Sequence, residues 1–190
     1  TLIGFCIFAD PPKRDAAEAV AELSSLGIRL KIISGDHPAV VAHVAAAVGM
    51  PSSRAITGTE IDQLADRALA AKVDGIDLFT RIDPDQKRRI VHALRLRGHV
   101  VGFLGDGVND APAIHAAHVG LSVSGATEVA RAAADIILLA QNLSVLAAGV
   151  REGRRTLANI LKYVRMGTSS NFGNMLSMAL ASVVLPFLPL

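Results

Sequence analysis

From the start of the chain to about residue 140, short apolar runs alternate with longer amphipathic stretches, the pattern of βα units laid around a parallel sheet. Residues 2–8 form a continuous apolar run expected as a strand. After Asp10-Pro11-Pro12 an Ala-rich helix is expected over 13–26, closed by Gly27. A second strand over 28–33 runs into Ser34-Gly35-Asp36, and a helix over about 37–48 ends at Gly49. Residues 59–73 suit a further capped helix and 78–82 a short strand. Asp83-Pro84-Asp85 opens a basic helix that Gly98 stops, and 99–104 has the look of a buried strand. A short helix, a strand over 119–123, a helix over 127–134 and an apolar run over 136–139 complete about six candidate strands. From Asn142 onward no Gly/Pro turn cluster interrupts the chain through the 150s and 160s, which predicts one long helix.

That helix changes character along its length. Its first half carries Arg151, Arg154, Arg155, Lys162 and Arg165, whereas 166–190 is uncharged and ends in apolar residues. The uncharged stretch has about the 20 residues that span a bilayer core, with the basic half facing the cytoplasm. The expected division is therefore an α/β domain over 1–140, a cytoplasmic stalk over 141–170 and the start of a transmembrane helix over 171–190. A flat, surface-bound amphipathic helix is the alternative. The chain opens on Thr1, directly into a strand-like run, and so reads as a piece of something longer.

Composition narrows the classes of function. The 190 residues carry a net charge of +2 and 51% hydrophobic residues, which predicts a packed core rather than a disordered or polyanion-binding arm. Only 4% are aromatic, a poor supply of stacking platforms for nucleic acid. The single cysteine, Cys6, excludes an internal disulfide and any zinc site built on several cysteines. His115 and His118 stand three apart on a short helix, but no third ligand converges with them.

Candidate chemistry gathers at the ends of the expected strands, where open α/β sheets bind ligands. Gly105-Asp106-Gly107-Val108-Asn109-Asp110 follows the strand over 99–104 directly. Asp106 and Asp110 can share one hard cation, and the glycines let backbone approach a phosphate. Magnesium held by few carboxylates and by phosphate oxygens suits phosphoryl transfer. Ser34 and the N–H groups of the 34–36 turn can meet a phosphoryl oxygen, and Lys87 can neutralise charge developing there.

In this order Ser34, Lys87 and the Asp106/Asp110 pair resemble motifs of the haloacid-dehalogenase-like phosphotransferases. The wording GDGVNDAPA, with Asp10-Pro11-Pro12 and Asp135-Ile136-Ile137-Leu138-Leu139, is similar to the P-type ATPases within that superfamily. Farther on, Glu152-Gly153-Arg154-Arg155-Thr156, Lys162-Tyr163, 169–174 and Leu185-Pro186-Phe187 resemble the stalk and fifth membrane helix of the bacterial magnesium-importing branch. The resemblance implies a Rossmann-like, haloacid-dehalogenase-type parallel sheet with flanking helices, followed by a long stalk and transmembrane helix. It further implies Mg²⁺ and ATP as cofactors and a bacterial inner-membrane location, with residues 1–170 cytoplasmic. Catalytic roles fall to Ser34, Lys87, Asp106, Asn109 and Asp110, and metal binding to Asp106 and Asp110. Asp10, Gly35, Asp36, Gly105 and Gly107 are expected around the nucleotide and phosphate. Asn171 and Asn174 fall where transported ions are coordinated, with interhelical hydrogen bonds as the alternative use.

One motif of that family has no counterpart. Its phosphate-accepting aspartate lies in Asp-Lys-Thr-Gly-Thr, a string absent here, and Asp83-Pro84-Asp85 is out of order and lacks the following threonine. The expected partners are therefore an upstream segment with the nucleophile, nucleotide and actuator domains, the other membrane helices, a transported cation and the bilayer. The chain alone is expected to be inactive. The rival readings are a free-standing haloacid-dehalogenase-like phosphatase and an inactive remnant.

Overall fold

The computed structural model describes residues 13, 15–50, 54–140 and 142–184. The strand expected over 2–8, Asp10 and Cys6 lie outside the described residues. The chain divides into two compact units, 1–147 and 148–190.

Among the described residues the first unit holds two three-stranded parallel sheets. In one, β3 (Ile76–Thr80) lies between β1 (Ile32–Ile33) and β2 (Arg54–Thr57), with Ile33 opposite Phe79 and Thr57 opposite Thr80. In the other, β5 (Val119–Val123) lies between β4 (Gly102–Leu104) and β6 (Ile136–Leu138). The connecting helices are α1 (Ala16–Ser25), α2 (Pro38–Ala47), α3 (Gly58–Asp62), α4 (Asp66–Val73), α5 (Pro84–Leu96), α6 (Ala111–Ala116) and α7 (Glu128–Ala133). A parallel strand needs a crossover, and short helices supply it at every step.

The main core is built on the fully buried Phe79, with Ile61, Leu69 and Val73 from α3 and α4, Ile90 and Val91 from α5, and Ile114 from α6. A smaller cluster joins Ala16, Val41, Ala45, Val48 and Met50 to Leu78. All five residues of β3 are buried, so its expected strand is displaced: a strand covered on both faces has no polar alternation to mark its ends. β2 had no expected counterpart, because Ile56 is its only buried residue and Arg54 and Ala55 are exposed. The helix expected over 59–73 is two helices. A capping box, in which Thr57 and Glu60 each satisfy the other's backbone N–H, starts α3 one residue earlier, and the chain breaks at 63–65.

An ion cluster ties the segment before β1 to β3. Arg29 makes a forked pair with Asp77 at 2.8 and 2.9 Å, and the Lys31 ammonium donates to Asp77 Oδ1 at 3.3 Å and to the Val73 and Ile76 carbonyls. Burial pushes the Asp77 carboxyl up, but the hydrogen bond from Arg29 and the charge and hydrogen bond of Lys31 outweigh it and hold it below the ordinary carboxylate range. Its stabilisation is therefore present at neutral pH and fades as pH falls below about 4. Lys31 behaves oppositely: burial lowers its ammonium pKa despite Asp77, so this group opposes folding at neutral pH and does so less as pH approaches the usual lysine range. Asp77→Asn is expected to cost about 2 kcal/mol at pH 7, below the full value for a buried pair because Arg29 is half exposed, and to flatten the acid limb in urea titrations. An unchanged acid limb would assign that limb to other carboxylates.

The described part of the second unit is one helix, since α8 (Ser144–Val184) continues through it, and its side chains are exposed over 151–180. The expected transmembrane continuation is corrected here: no helix among the described residues is long and apolar enough to cross a membrane. Length is present, at 41 residues, but apolarity is not. The basic residues reach Arg165, and beyond them Gly167, Thr168, Ser169, Ser170, Asn171, Gly173 and Asn174 dilute the apolar side chains where a span requires them. This stretch lacks charge without being hydrophobic. Residues 185–190 lie outside the described residues.

Candidate phosphoryl-binding site

Three turns at the carboxyl ends of parallel strands build the site. The first follows β1. Its backbone is fixed by the Ser34 N–H donating to the Phe79 carbonyl at 2.9 Å and by the Ser34 carbonyl accepting from Ile82 at 3.0 Å. The Ser34 hydroxyl donates to Asp36 Oδ2 at 2.7 Å and accepts from the Asp36 N–H at 3.1 Å, a small closed ring at the turn. Gly35 and Asp36 are exposed beside it.

The second turn, Arg81-Ile82-Asp83, follows β3 and leads into α5. Arg81 has φ of 53°, a left-handed conformation that side chains rarely adopt and that surrounding structure must enforce. Its N–H donates to the Asp36 carbonyl at 3.0 Å, so the first and second turns are joined by two backbone hydrogen bonds. Asp83 caps α5, and a capping box with Gln86 and Pro84 at the first position sets the helix direction. One residue on, Lys87 projects to the third turn.

That turn is Gly105–Asp110 after β4. Asp110 Oδ1 accepts from the Lys87 ammonium at 2.7 Å, and Oδ2 accepts from the N–H groups of Gly107 at 3.1 Å and Asp106 at 3.3 Å. The chain folds back so tightly that a Cβ on Gly105 would overlap the Asp110 side chain. Gly105 therefore has a packing reason independent of any ligand. The buried Ser122 hydroxyl donates to the Gly105 carbonyl at 2.9 Å, and the Thr127 N–H donates to the Asp106 carbonyl at 3.0 Å. With its backbone held on both sides, the turn presents the Asp106 carboxylate and the Asn109 amide as exposed side chains, neither with a hydrogen-bond partner among the described residues.

Lys87, Asp106, Asn109 and Asp110 are thus assembled in one place, and backbone bonds carry the Ser34 turn to the helix that bears Lys87. The two acids divide the labour. Asp110 has both oxygens engaged and organises the turn, while Asp106 is open to a ligand. Among the described residues no three His, Cys, Asp or Glu side chains cluster as a closed metal cage would require. His118 serves as structure, its Nδ1 accepting from the Val101 N–H at 3.2 Å. Asn171 and Asn174 lie on α8 in the second unit, exposed and three residues apart. Ser122 and Gln86 went unnoticed in the sequence. A lone buried serine has no local signal, whereas the Asp83-x-x-Gln86 pattern was legible as a capping box.

A family profile described as haloacid dehalogenase-like hydrolase matches residues 1–118. The chain is 52% identical over 189 residues to "Magnesium-transporting ATPase, P-type 1" of Salmonella typhimurium (strain 14028s / SGSC 2262), covering 100% of this chain and 21% of that protein. It is 51% identical to the protein of the same description from Escherichia coli (strain K12), with the same coverage. Among solved structures, a zinc-transporting PIB-type ATPase in its E2.Pi state aligns over 91% of this chain and 24% of its own, with a TM-score of 0.72 and 27% identity. The chain thus spans about a fifth of the length of the curated relatives it matches.

Proposed function

Because this chain belongs to the haloacid dehalogenase-like hydrolases and is closely related to the bacterial magnesium-transporting P-type ATPases, we propose that it is the phosphoryl-binding part of an ATP-driven cation pump. Transport of magnesium into the cell is the specific activity proposed, with the site on the cytoplasmic side of a bacterial membrane. The observation that carries this reading is the open Asp106 carboxylate, next to an Asp110 locked by Lys87 and two backbone N–H groups.

The donor set fits Mg²⁺. This ion retains waters and takes one or two carboxylates with phosphate oxygens, and Asp106 would supply such a carboxylate, with Asp110 of the same turn helping to hold the waters. Bound there, Mg²⁺ would neutralise charge on a transferring phosphoryl group. Lys87 would bind a phosphoryl oxygen, Asn109 would donate its amide to another, and the Ser34 hydroxyl would turn from Asp36 to a third. Gly35 and Gly107 leave room for backbone N–H groups to approach, and Asp36 borders the nucleotide. The phosphate acceptor would be an aspartate on a segment upstream of this chain. Among the described residues β1 and β4 are each paired on one side only, and these are the strands that lead into Ser34 and Asp106.

A longer protein containing this chain and an upstream Asp-Lys-Thr-Gly-Thr is expected to form an acid-stable phosphoenzyme from ATP, dependent on Mg²⁺. The 190-residue chain alone is expected to release no phosphate from p-nitrophenyl phosphate. Turnover of that ester by the chain alone, abolished by Asp106→Ala, would instead establish a self-sufficient phosphatase.

A further inference from the structure

We infer that Gly58 and Gln86 are positioning residues, which set where Lys87 and the Ser34 turn stand by clamping the start of α3 against the Arg81–Asp83 bend. The inference rests on the phosphoryl-binding reading for its purpose, but its geometry is independent of it. Gln86 is buried, at 5% exposure, although it lies in the first turn of a helix whose neighbouring residues are mostly charged. Its Oε1 accepts from the Asp83 N–H at 3.0 Å, as a capping residue should. A cap requires nothing more, yet its Nε2 donates to the Gly58 carbonyl at 3.2 Å and to Asp62 Oδ1 at 2.9 Å. One amide therefore joins the start of α5 to both ends of α3.

Gly58 completes the clamp by having no side chain. A Cβ there would overlap both the Arg81 carbonyl oxygen and Gln86 Oε1, and the first of these is backbone and cannot rotate away. Arg81 is the residue held at positive φ, and its N–H grips the Asp36 carbonyl. The close approach of α3 thus supports a backbone conformation that is strained in isolation. Displacing the Arg81 carbonyl would move the Ser34–Asp36 turn through the Arg81 and Ile82 hydrogen bonds. It would also move Lys87 through α5. Both ends of the proposed phosphoryl pocket therefore depend on one contact.

Lysine footprinting of the full 190-residue chain tests this without phosphoryl chemistry. The amines are acetylated with N-hydroxysuccinimidyl acetate and read by peptide mass spectrometry, with exposed Lys72 as the rate standard and part-buried Lys31 as the reporter of general opening. Gly58→Ala and Gln86→Glu are each expected to speed labelling of Lys87 about three- to fivefold, the weight of one hydrogen bond as its part-buried pair with Asp110 loosens without breaking, with Lys31 unchanged. Gln86→Glu retains an acceptor for the cap while removing the donor to Gly58 and Asp62, so it separates clamp from cap. Asp85→Ala, outside the clamp on the same helical turn, is expected to leave Lys87 unchanged. Unaltered Lys87 labelling in both clamp variants, or Lys87 and Lys31 rising together, would overturn the inference. Absence of phosphoenzyme in the longer protein would overturn the phosphoryl reading and leave the footprint result standing.

Discussion

Asp106→Ala is expected to abolish phosphoenzyme formation in a longer protein that carries this chain with its phosphate-accepting aspartate, lowering the rate by at least about a thousandfold. The size follows from geometry. Asp106 is the carboxylate of the 105–110 turn that no donor among the described residues occupies, whereas Asp110 is bonded on both oxygens. No neighbour can take over the ion-binding role, because the next acidic side chain in the turn already neutralises Lys87. Asp106 makes no side-chain hydrogen bond among the described residues and is exposed, so its removal should leave the fold intact. The expected signature is loss of phosphoenzyme with an unchanged urea midpoint of the isolated chain. Asp106→Asn should fail nearly as badly, since a neutral amide oxygen is a poorer ligand for Mg²⁺. Normal acid-stable phosphoenzyme in Asp106→Ala would remove the residue from the chemistry.

Asp110→Ala is expected to act on the fold first, costing about 3 kcal/mol in the urea unfolding free energy of the chain. The Lys87 and Asp110 side chains are 14% and 13% exposed, so the lysine left behind would be a poorly solvated charge without its partner. Two backbone N–H groups, of Asp106 and Gly107, would lose their acceptor as well. Asp110→Asn keeps an oxygen for those N–H groups and loses the charge, so it should cost about half as much. Lys87→Met combined with Asp110→Ala should cost less than the sum of the single changes, because the unpaired charge is then gone. Strict additivity would show that the 2.7 Å contact contributes little to folding. The contrast between the two acids separates a ligand-facing carboxylate from one that builds the turn.

The corrections have a common physical origin. Periodicity located the helices that cover the sheets because each has one buried and one wet face, and Gly27, Gly49 and Gly98 adopt the positive φ values of 74°, 75° and 83° with which helices end. It gives no signal at β2, where one buried residue among four carries no period, and at α8 lack of charge is not apolarity. The order Ser34, Lys87, Asp106, Asp110 pointed to phosphoryl chemistry, but their spacing along the chain says nothing of which oxygen each donor meets.

By itself the sequence determined the alternation of strands and helices, the strand-end placement of the reactive side chains and the relationship to the magnesium-transporting ATPases, because these are carried by residue type, order and local period. Only the tertiary structure decided that Asp110 is bound by Lys87 while Asp106 stays open, that Gln86 clasps α3, and that Arg29, Lys31 and Asp77 share one cluster. Those pairings join residues some 20 to 50 positions apart. A contact at that separation is set by how the sheets and helices pack, and a side chain shows its partner only after packing has brought the two within a hydrogen bond's reach.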